Sequence, residues 1–181
     1  MLVVVGLVLG LLVGCAKDDG AAVRSDGGSG SSAAGGSSAA AGSSAAGGSS
    51  AAPADCKPVG EDLEAKADQT VEVVLKDYSF DPSEIEVPAG ITTFAVKNEG
   101  DTNHELAFLP GGGAVPMKDG HPDEAALEEA GAFELEGFGP GQTCNGTWDL
   151  EPGTYTMFCI IELDDGTTHY MKGMQGTLKV T

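Results

Sequence analysis

Basic residues are scarce in this sequence. Its 181 residues include 9 Lys and Arg against 28 Asp and Glu, which gives a formal net charge of −19 at pH 7. Nucleic-acid binding depends on cations that neutralise phosphates, so we expect no nucleic-acid partner. A basic protein partner is compatible with this charge, and so is the simpler explanation that the acids keep the protein soluble, for instance in a salty habitat.

Functional motifs of common enzyme classes are also missing. The chain has only three His, and no Ser-His-Asp set, phosphate-binding loop or paired-carboxylate motif stands out. An independent enzyme is therefore the least favoured of the functions that we consider.

The apolar run at the start of the chain is too short to cross a membrane. Residues 2–14 are all apolar or Gly, whereas a spanning helix needs about 20 residues. This length is typical of the apolar region of a secretory signal, although no Lys or Arg precedes it. We therefore expect residues 1–14 to be a signal peptide.

The run ends in Leu-Val-Gly-Cys, which resembles the lipobox of bacterial lipoproteins. That resemblance implies cleavage before Cys15, lipidation of Cys15, and an extracytoplasmic protein (periplasmic or at the cell surface) anchored to a membrane by its lipid. An ordinary signal peptide with an incidental Cys is the alternative.

Gly, Ser and Ala dominate residues 16–55. Because this segment has no periodic apolar face, the sequence predicts a flexible tether here. The predicted organisation is a signal peptide (1–14), a lipidated Cys with its tether (15–55) and one folded domain (56–181).

The predicted domain has the pattern of a β-protein. Alternating or β-branched runs occupy residues 70–77, 83–90, 91–100, 104–110, 142–153, 154–161 and 176–181. Turn signals such as Pro-Ala-Gly and Glu-Pro-Gly separate them, which predicts a two-sheet antiparallel sandwich. Residues 122–131 differ: Pro122 stands at a helix-start position and Gly131 at a stop, which predicts a short inserted helix.

The order of several motifs resembles the cupredoxins, the small blue-copper proteins. The motifs are Tyr-Ser-Phe-Asp-Pro at 78–82, Val-Pro-Ala-Gly at 87–90, Phe-Ala-Val-Lys-Asn at 94–98 and a His-Glu pair at 104–105. The segments PGQTCNGTWDLEPGTYTMFC and KGMQGTLKV are similar to the C-terminal half of the family. The resemblance covers about residues 70–181 and implies an all-β, Greek-key two-sheet sandwich.

The resemblance also implies one type 1 copper site with four ligands, which would be His104, Cys159, His169 and Met174. A thiolate and two imidazoles suit both copper oxidation states, and a weak thioether raises the reduction potential. Tyr155, Met157 and Cys159 share a strand face, which we expect to be the interior one. His121 has no matching position and is interpreted as a cap or surface residue.

The loop between Cys159 and His169 is longer than is usual in this family. Its nine residues, IIELDDGTT, include Glu162, Asp164 and Asp165, which we expect near the metal. These carboxylates could attract a cationic electron donor, capture incoming copper, or favour a harder metal such as zinc, and the sequence does not choose among these roles.

The two resemblances assign a lipid to Cys15 and a metal to Cys159. The remaining Cys56 and Cys144 would then pair in an oxidising compartment. The competing pairing, Cys144 with Cys159, would destroy the metal site.

The leading functional interpretation is a monomeric electron-transfer protein that exchanges electrons near a membrane with a redox partner protein, and the acidic charge is compatible with a basic partner. Phe158 could lie on an outward electron path or simply be a sandwich aromatic. A copper-handling or delivery protein and a metal-free binding module are the alternatives.

Overall fold

The computed structural model describes residues 53–181. The predicted signal peptide of residues 1–14, the predicted lipidation of Cys15 and the tether up to residue 52 lie outside the described residues, so these remain predictions. Within residues 53–181, no helix is both long enough and apolar enough to span a membrane.

The described part of the chain is mainly β-structure. In chain order the strands are β1 (Gln69–Lys76), β2 (Ser79–Asp81), β3 (Glu84–Val87), β4 (Gly90–Asn98), β5 (His104–Pro110), β6 (Met117–Lys118), β7 (His121–Pro122), β8 (Phe133–Phe138), β9 (Thr143–Leu150), β10 (Gly153–Phe158) and β11 (Gln175–Val180). The helices are α1 (Glu61–Glu64), α2 (Glu124–Glu129) and a 3₁₀ turn, Tyr170–Lys172.

Two main sheets form the sandwich that the sequence predicts. One has the strand order β2-β1-β4-β9 and the other β3-β11-β10-β5-β8. The expectation of purely antiparallel sheets is wrong, because β1 pairs with β4, and β3 with β11, in parallel. Two strands lie between β1 and β4 in the sequence, and seven lie between β3 and β11. Parallel partners need such a crossover connection, and alternation along one strand does not reveal it.

Alternating side chains from both sheets fill a common core. Val73 on β1 and Phe94 on β4 meet Leu106 and Phe108 of β5 in one cluster of fully buried residues. Such burial supplies the main stabilising term for a sandwich of this size. The predicted interior face of β10 is confirmed, because Tyr155, Met157 and Cys159 also belong to this core.

The inserted helix is present but starts later than the sequence predicts. Asp123 is the N-cap of α2, and its side chain accepts a hydrogen bond from the Ala126 N–H. Pro122 instead ends β7, and His121 in the same short strand is an exposed surface residue rather than a cap. Leu127 of α2 packs in a second apolar cluster that includes Phe158, so the helix covers the outer face of the second sheet.

A disulfide fastens the start of the described chain to the first sheet. Cys56 and Cys144 are bridged, with Cα atoms 5.4 Å apart, a separation that suits a disulfide. This is the predicted pairing, and it excludes the competing bond between Cys144 and Cys159, which is a free, buried thiol. Val59 adds backbone hydrogen bonds to β9 beside the bridge.

Candidate metal centre

Four predicted ligand residues come from two distant parts of the chain. His104 is the first residue of β5, whereas Cys159 directly follows β10. His169 precedes the 3₁₀ turn, and Met174 lies between that turn and β11. All four side chains are fully buried, so the fold removes these polar and sulfur-containing groups from water.

Three of the four side chains form one compact cluster. The metal-binding atoms of His104, Cys159 and His169, one from each residue, lie within 4.8 Å of one another. The two imidazole centroids are 4.6 Å apart, and Cys159 Sγ lies 3.3 Å from His169 Nδ1. A single ion could therefore contact one atom of each residue after small adjustments, since metal–ligand bonds are about 2.0–2.3 Å long.

Met174 is the fourth predicted ligand, and the 3₁₀ turn fixes its backbone. The Met174 N–H donates to the His169 carbonyl at 3.0 Å. Gly173 between them has a φ of 103°, a left-handed conformation that favours glycine. The Met174 side chain belongs to the same buried core as Cys159.

The long Cys159–His169 loop folds back on itself. Glu162 and Thr168 form a β-bridge, and the His169 N–H donates to the Ile161 carbonyl at 3.0 Å. This hydrogen bond places the backbone of His169 beside Ile161, which is only two residues after Cys159. The extra residues form a small hairpin and do not lengthen the span between the two ligands.

The acidic residues of this hairpin do not join the metal-binding cluster. Among residues 53–181, the cluster contains only the two His and Cys159. Asp165 accepts hydrogen bonds from Thr167 and lies 3.2 Å from Lys172 Nζ. Glu162, Asp164 and Asp165 are thus not part of the group that could hold an ion, and their expected place near the metal stays a prediction.

The approach of the chain to His104 depends on Asn98, which the sequence identified only as part of a strand motif. The buried Asn98 Nδ2 donates to the Thr102 and Phe138 carbonyls at 2.9 and 2.8 Å. Its Oδ1 accepts from the Gly100 N–H at 2.9 Å. This amide thus holds both sides of the loop between β4 and β5 and sets the position at which His104 begins its strand.

Two nitrogen atoms of the cluster lack partners among the described residues. His104 Nδ1 and His169 Nε2 are buried without a hydrogen bond, although buried polar atoms are normally satisfied. His104 Nε2, by contrast, lies 3.0 Å from Asp77 Oδ1. The free Nδ1 lone pair of His104 is the kind of orphaned acceptor that a bound metal ion satisfies.

Burial sets the protonation of these groups in the absence of metal. Burial and the Glu105 carboxylate raise the pKa of the Cys159 thiol well above its ordinary value. Burial and the neighbouring His104 lower the pKa of His169 to about 4. Burial also lowers the pKa of His104, although Asp77 opposes this change. At neutral pH the cluster holds a protonated thiol and two neutral imidazoles, so a metal that binds the thiolate must displace one proton.

Phe158 lies on the opposite side of the sheet from the cluster. Its ring is buried under α2 and lines an open cavity with Glu105 and Glu134. The sequence offered two roles for Phe158, and its burial fits the interpretation as a sandwich aromatic. The cavity wall also includes Glu124, Glu128 and Glu162.

Sequence reasoning missed two residues that contact the imidazoles. Asp77 and Tyr78 form the turn between β1 and β2 and touch His104 and His169. Tyr78 opens the Tyr-Ser-Phe-Asp-Pro motif, but nothing in the sequence linked it or Asp77 to the two His, because each lies far from its His in sequence.

Comparison with known proteins identifies one family. A family model described as a cupredoxin-like domain matches residues 45–178. A search of curated proteins finds no match.

Several solved structures are similar to part of the chain. Auracyanin A, described as a "blue" copper protein from the green thermophilic photosynthetic bacterium Chloroflexus aurantiacus, is 23% identical, with 69% of this chain and 100% of that chain covered and a TM-score of 0.45. Dithionite-reduced auracyanin from Roseiflexus castenholzii is 24% identical, with 64% and 98% covered and a TM-score of 0.45. Auracyanin B is 24% identical, with 64% and 90% covered and a TM-score of 0.47.

Proposed function

The chain belongs to the cupredoxin-like domain family, and we propose that it is an electron-transfer protein with one type 1 copper site. The ligands would be the imidazoles of His104 and His169, the Cys159 thiolate and the Met174 thioether. One observation carries the proposal: three buried metal-binding groups from distant parts of the chain meet within 4.8 Å. The partnerless His104 Nδ1 supports it.

The chemistry of the donor set fits copper. Soft thiolate and thioether ligands favour copper, and imidazole suits it as well, whereas carboxylates and carbonyls are typical of magnesium, calcium and manganese. No carboxylate belongs to the cluster within residues 53–181. Zinc also binds Cys and His, so it is the metal against which copper has to be tested.

The roles of the chain's own residues follow from their burial. Bound copper would supply the one-electron couple, while the protein binds the ion, excludes water and keeps the ligands in place. All four side chains have no exposed surface, so incoming ligands cannot reach the ion without local opening. This enclosure favours a resident electron carrier over a protein that delivers copper to others, because delivery requires access to the ion.

We extend the proposal to the surroundings of the protein. Lipidation at Cys15 and the Gly/Ser/Ala-rich tether would hold the monomeric domain outside the cytoplasm near a membrane. The net charge of −19 supports a basic redox partner, since opposite charges accelerate encounter. Electron transfer to such a partner should slow as salt is added, because ions screen exposed charges over about 8–10 Å.

A copper titration with matched variants tests the proposed site. We expect the metal-free protein to bind one equivalent of Cu(II) and to develop an intense thiolate-to-copper absorption band. Cys159→Ser should lose the band and most of the affinity, because a hydroxyl does not ionise readily at neutral pH. His121→Ala is the control, since His121 is exposed and lies outside the cluster.

The titration includes an outcome that rejects the proposal. If wild type and Cys159→Ser bind copper equally and neither is coloured, the cluster is not a type 1 site. If zinc displaces copper at equal concentration, the protein is a zinc site and not an electron carrier. In either case the acidic sandwich would be better treated as a binding module.

A further inference from the structure

The turn between β1 and β2 places two consecutive side chains against the two imidazoles. Asp77 Oδ1 lies 3.0 Å from His104 Nε2. The Tyr78 ring meets the His169 ring edge-on, with centroids 5.3 Å apart and planes at 83°. One short turn therefore contacts both candidate His ligands.

We propose that Asp77 and Tyr78 are positioning residues for the metal centre. Asp77 holds His104 in the tautomer that leaves Nδ1 free for a metal, and Tyr78 covers His169 and keeps water from its ring. This inference rests on the proposed function, because it assigns roles around the same His pair.

The tautomer follows from the hydrogen-bonding capacity of the carboxylate. An ionised Asp only accepts hydrogen bonds, so the His104 nitrogen that faces it must carry the proton. That nitrogen is Nε2, and a neutral imidazole then has its lone pair on Nδ1. Nδ1 is the buried atom without a partner, as expected of a ligand atom whose orientation is fixed through the other ring nitrogen.

The surroundings of this contact show that it has a fixed geometry. Asp77 Oδ1 also accepts from the Asp101 N–H at 3.0 Å, so two donors hold one oxygen. A Cβ added to Gly100 would lie 2.5 Å from His104 Nε2 and 2.6 Å from Asp77 Oδ1. Only glycine leaves room for the hydrogen bond at this position, and its backbone packs directly against the bond.

Tyr78 has an unusual backbone for its contact with His169. Its φ is 62°, a left-handed conformation that is uncommon for a bulky residue and that Gly or Asn adopt more easily. The turn alone therefore does not require a tyrosine. The tyrosine ring instead shields His169 from solvent, because Tyr78 is 37% exposed whereas His169 beneath it is completely buried.

The role of Asp77 can be tested without any metal. Nitrogen-15 NMR of the imidazoles in the metal-free protein reports which ring nitrogen of His104 carries the proton. We expect the Nε2–H tautomer in wild type and in Asp77→Asn, whose amide oxygen can still accept, and a mixture of tautomers in Asp77→Ala/Thr102→Val, which also removes the Thr102 Oγ1 that lies 3.4 Å from His104 Nε2. Asp81→Ala is the matched control, because Asp81 lies in the same hairpin but pairs with Lys76.

The role of Tyr78 is tested by chemical modification of His169. Diethyl pyrocarbonate reacts with accessible imidazoles, and mass spectrometry measures the extent at each His. Tyr78→Gly removes the ring and suits the backbone, so His169 should lose its protection, while Tyr78→Phe should keep it. The exposed His121 serves as an internal standard that reacts equally in all variants.

The outcomes separate this inference from the proposed function. If folded Asp77→Ala/Thr102→Val retains the tautomer of Thr102→Val alone, or if His169 reacts at the same rate in wild type and Tyr78→Gly, the positioning roles are wrong. With both roles established, Asp77→Ala should also bind copper about 10–100-fold more weakly, as is usual for the loss of such a partner. If wild type binds no copper at all, the proposed function fails, and the metal-free measurements still decide the roles of Asp77 and Tyr78.

Discussion

Removal of the Cys56–Cys144 disulfide should strongly destabilise the domain. The bridge closes a loop of 88 residues in sequence separation. In the chain-entropy model, a loop of that length lowers the entropy of the unfolded chain enough to contribute about 4.6 kcal/mol at 25 °C. Typical domains have free energies of unfolding of about 5–15 kcal/mol, so this one bond is a large share of the total.

The folded state should change little when the bridge is removed. Backbone hydrogen bonds still join Val59 to Asn145 and Thr147, and the Cys56 N–H still donates to Gln142. In Cys56→Ala/Cys144→Ala, the loss of the buried Cys144 sulfur adds a packing cost on the order of 1 kcal/mol. The expected total is therefore about 5–6 kcal/mol, and most of it arises in the unfolded state.

Denaturant unfolding of the metal-free protein measures this effect. Metal-free protein is used because a bound ion stabilises the folded state by mass action. Oxidised wild type, reduced wild type and the double Ala variant are compared by far-ultraviolet circular dichroism. Reduced wild type has the same covalent connectivity as the variant but keeps both sulfur atoms, so the difference between these two gives the packing cost alone.

The comparison can refute the entropy argument directly. A difference below about 1 kcal/mol between oxidised and reduced wild type would contradict the loop-closure magnitude. Two free thiols at positions 56 and 144 in exported protein, found by mass spectrometry, would instead contradict the pairing itself.

Three further predictions concern the metal centre and its neighbours. Met174→Leu should keep copper bound but shift the reduction potential, since it removes a weak axial contact; protein-film voltammetry measures the shift, and loss of copper would contradict a tuning role. Burial raises the pKa of Glu105 to about 7. Between about pH 4.5 and 7 the folded state therefore retains a proton that the unfolded state releases, and the free energy of unfolding should fall by about 3 kcal/mol over this range. Glu105→Gln should flatten that dependence in urea titrations of metal-free protein, because the amide oxygen can still accept from Ile160 N–H; an unchanged pH profile would contradict the assignment. Replacement of residues 163–167 by Asn-Gly, a pair that suits a two-residue hairpin, should leave the thiolate-to-copper absorption band in place, because the Glu162–Thr168 bridge already closes the loop. Loss of the band would show that the hairpin supports the site.

Local patterns were sufficient to predict most of the strands. Alternation places Val73 and Leu75 on the buried side of β1, and the structure has strands close to each predicted run. The three-residue β2 was missed because so short a segment has no measurable period. The parallel pairing of β1 with β4 was missed because strand partners are chosen by long-range packing, which one strand's sequence does not encode.

The ligand residues could be proposed from the sequence only as a family pattern. His104, Cys159 and His169 each have ordinary structural roles when considered alone, and their order along the chain made them candidates. The hydrogen bond from His104 to Asp77 spans 27 residues, and no residue type or spacing in the sequence indicates it. Contacts of this kind depend on how the turn and the strand ends meet in three dimensions.

The candidate metal centre is already assembled by interactions that involve no metal. The His104 ring is held by Asp77, while the backbone of His169 is held by Ile161 and that of Met174 by His169. Cys159 sits in the packed core at the end of β10. Small metal domains that fold only around their ion must supply ordering energy from metal binding, whereas here the sandwich, its disulfide and these hydrogen bonds supply it. Because the fold itself positions these side chains, they have little freedom to rearrange when charge at the centre changes, and such fixed geometry suits the proposed one-electron carrier.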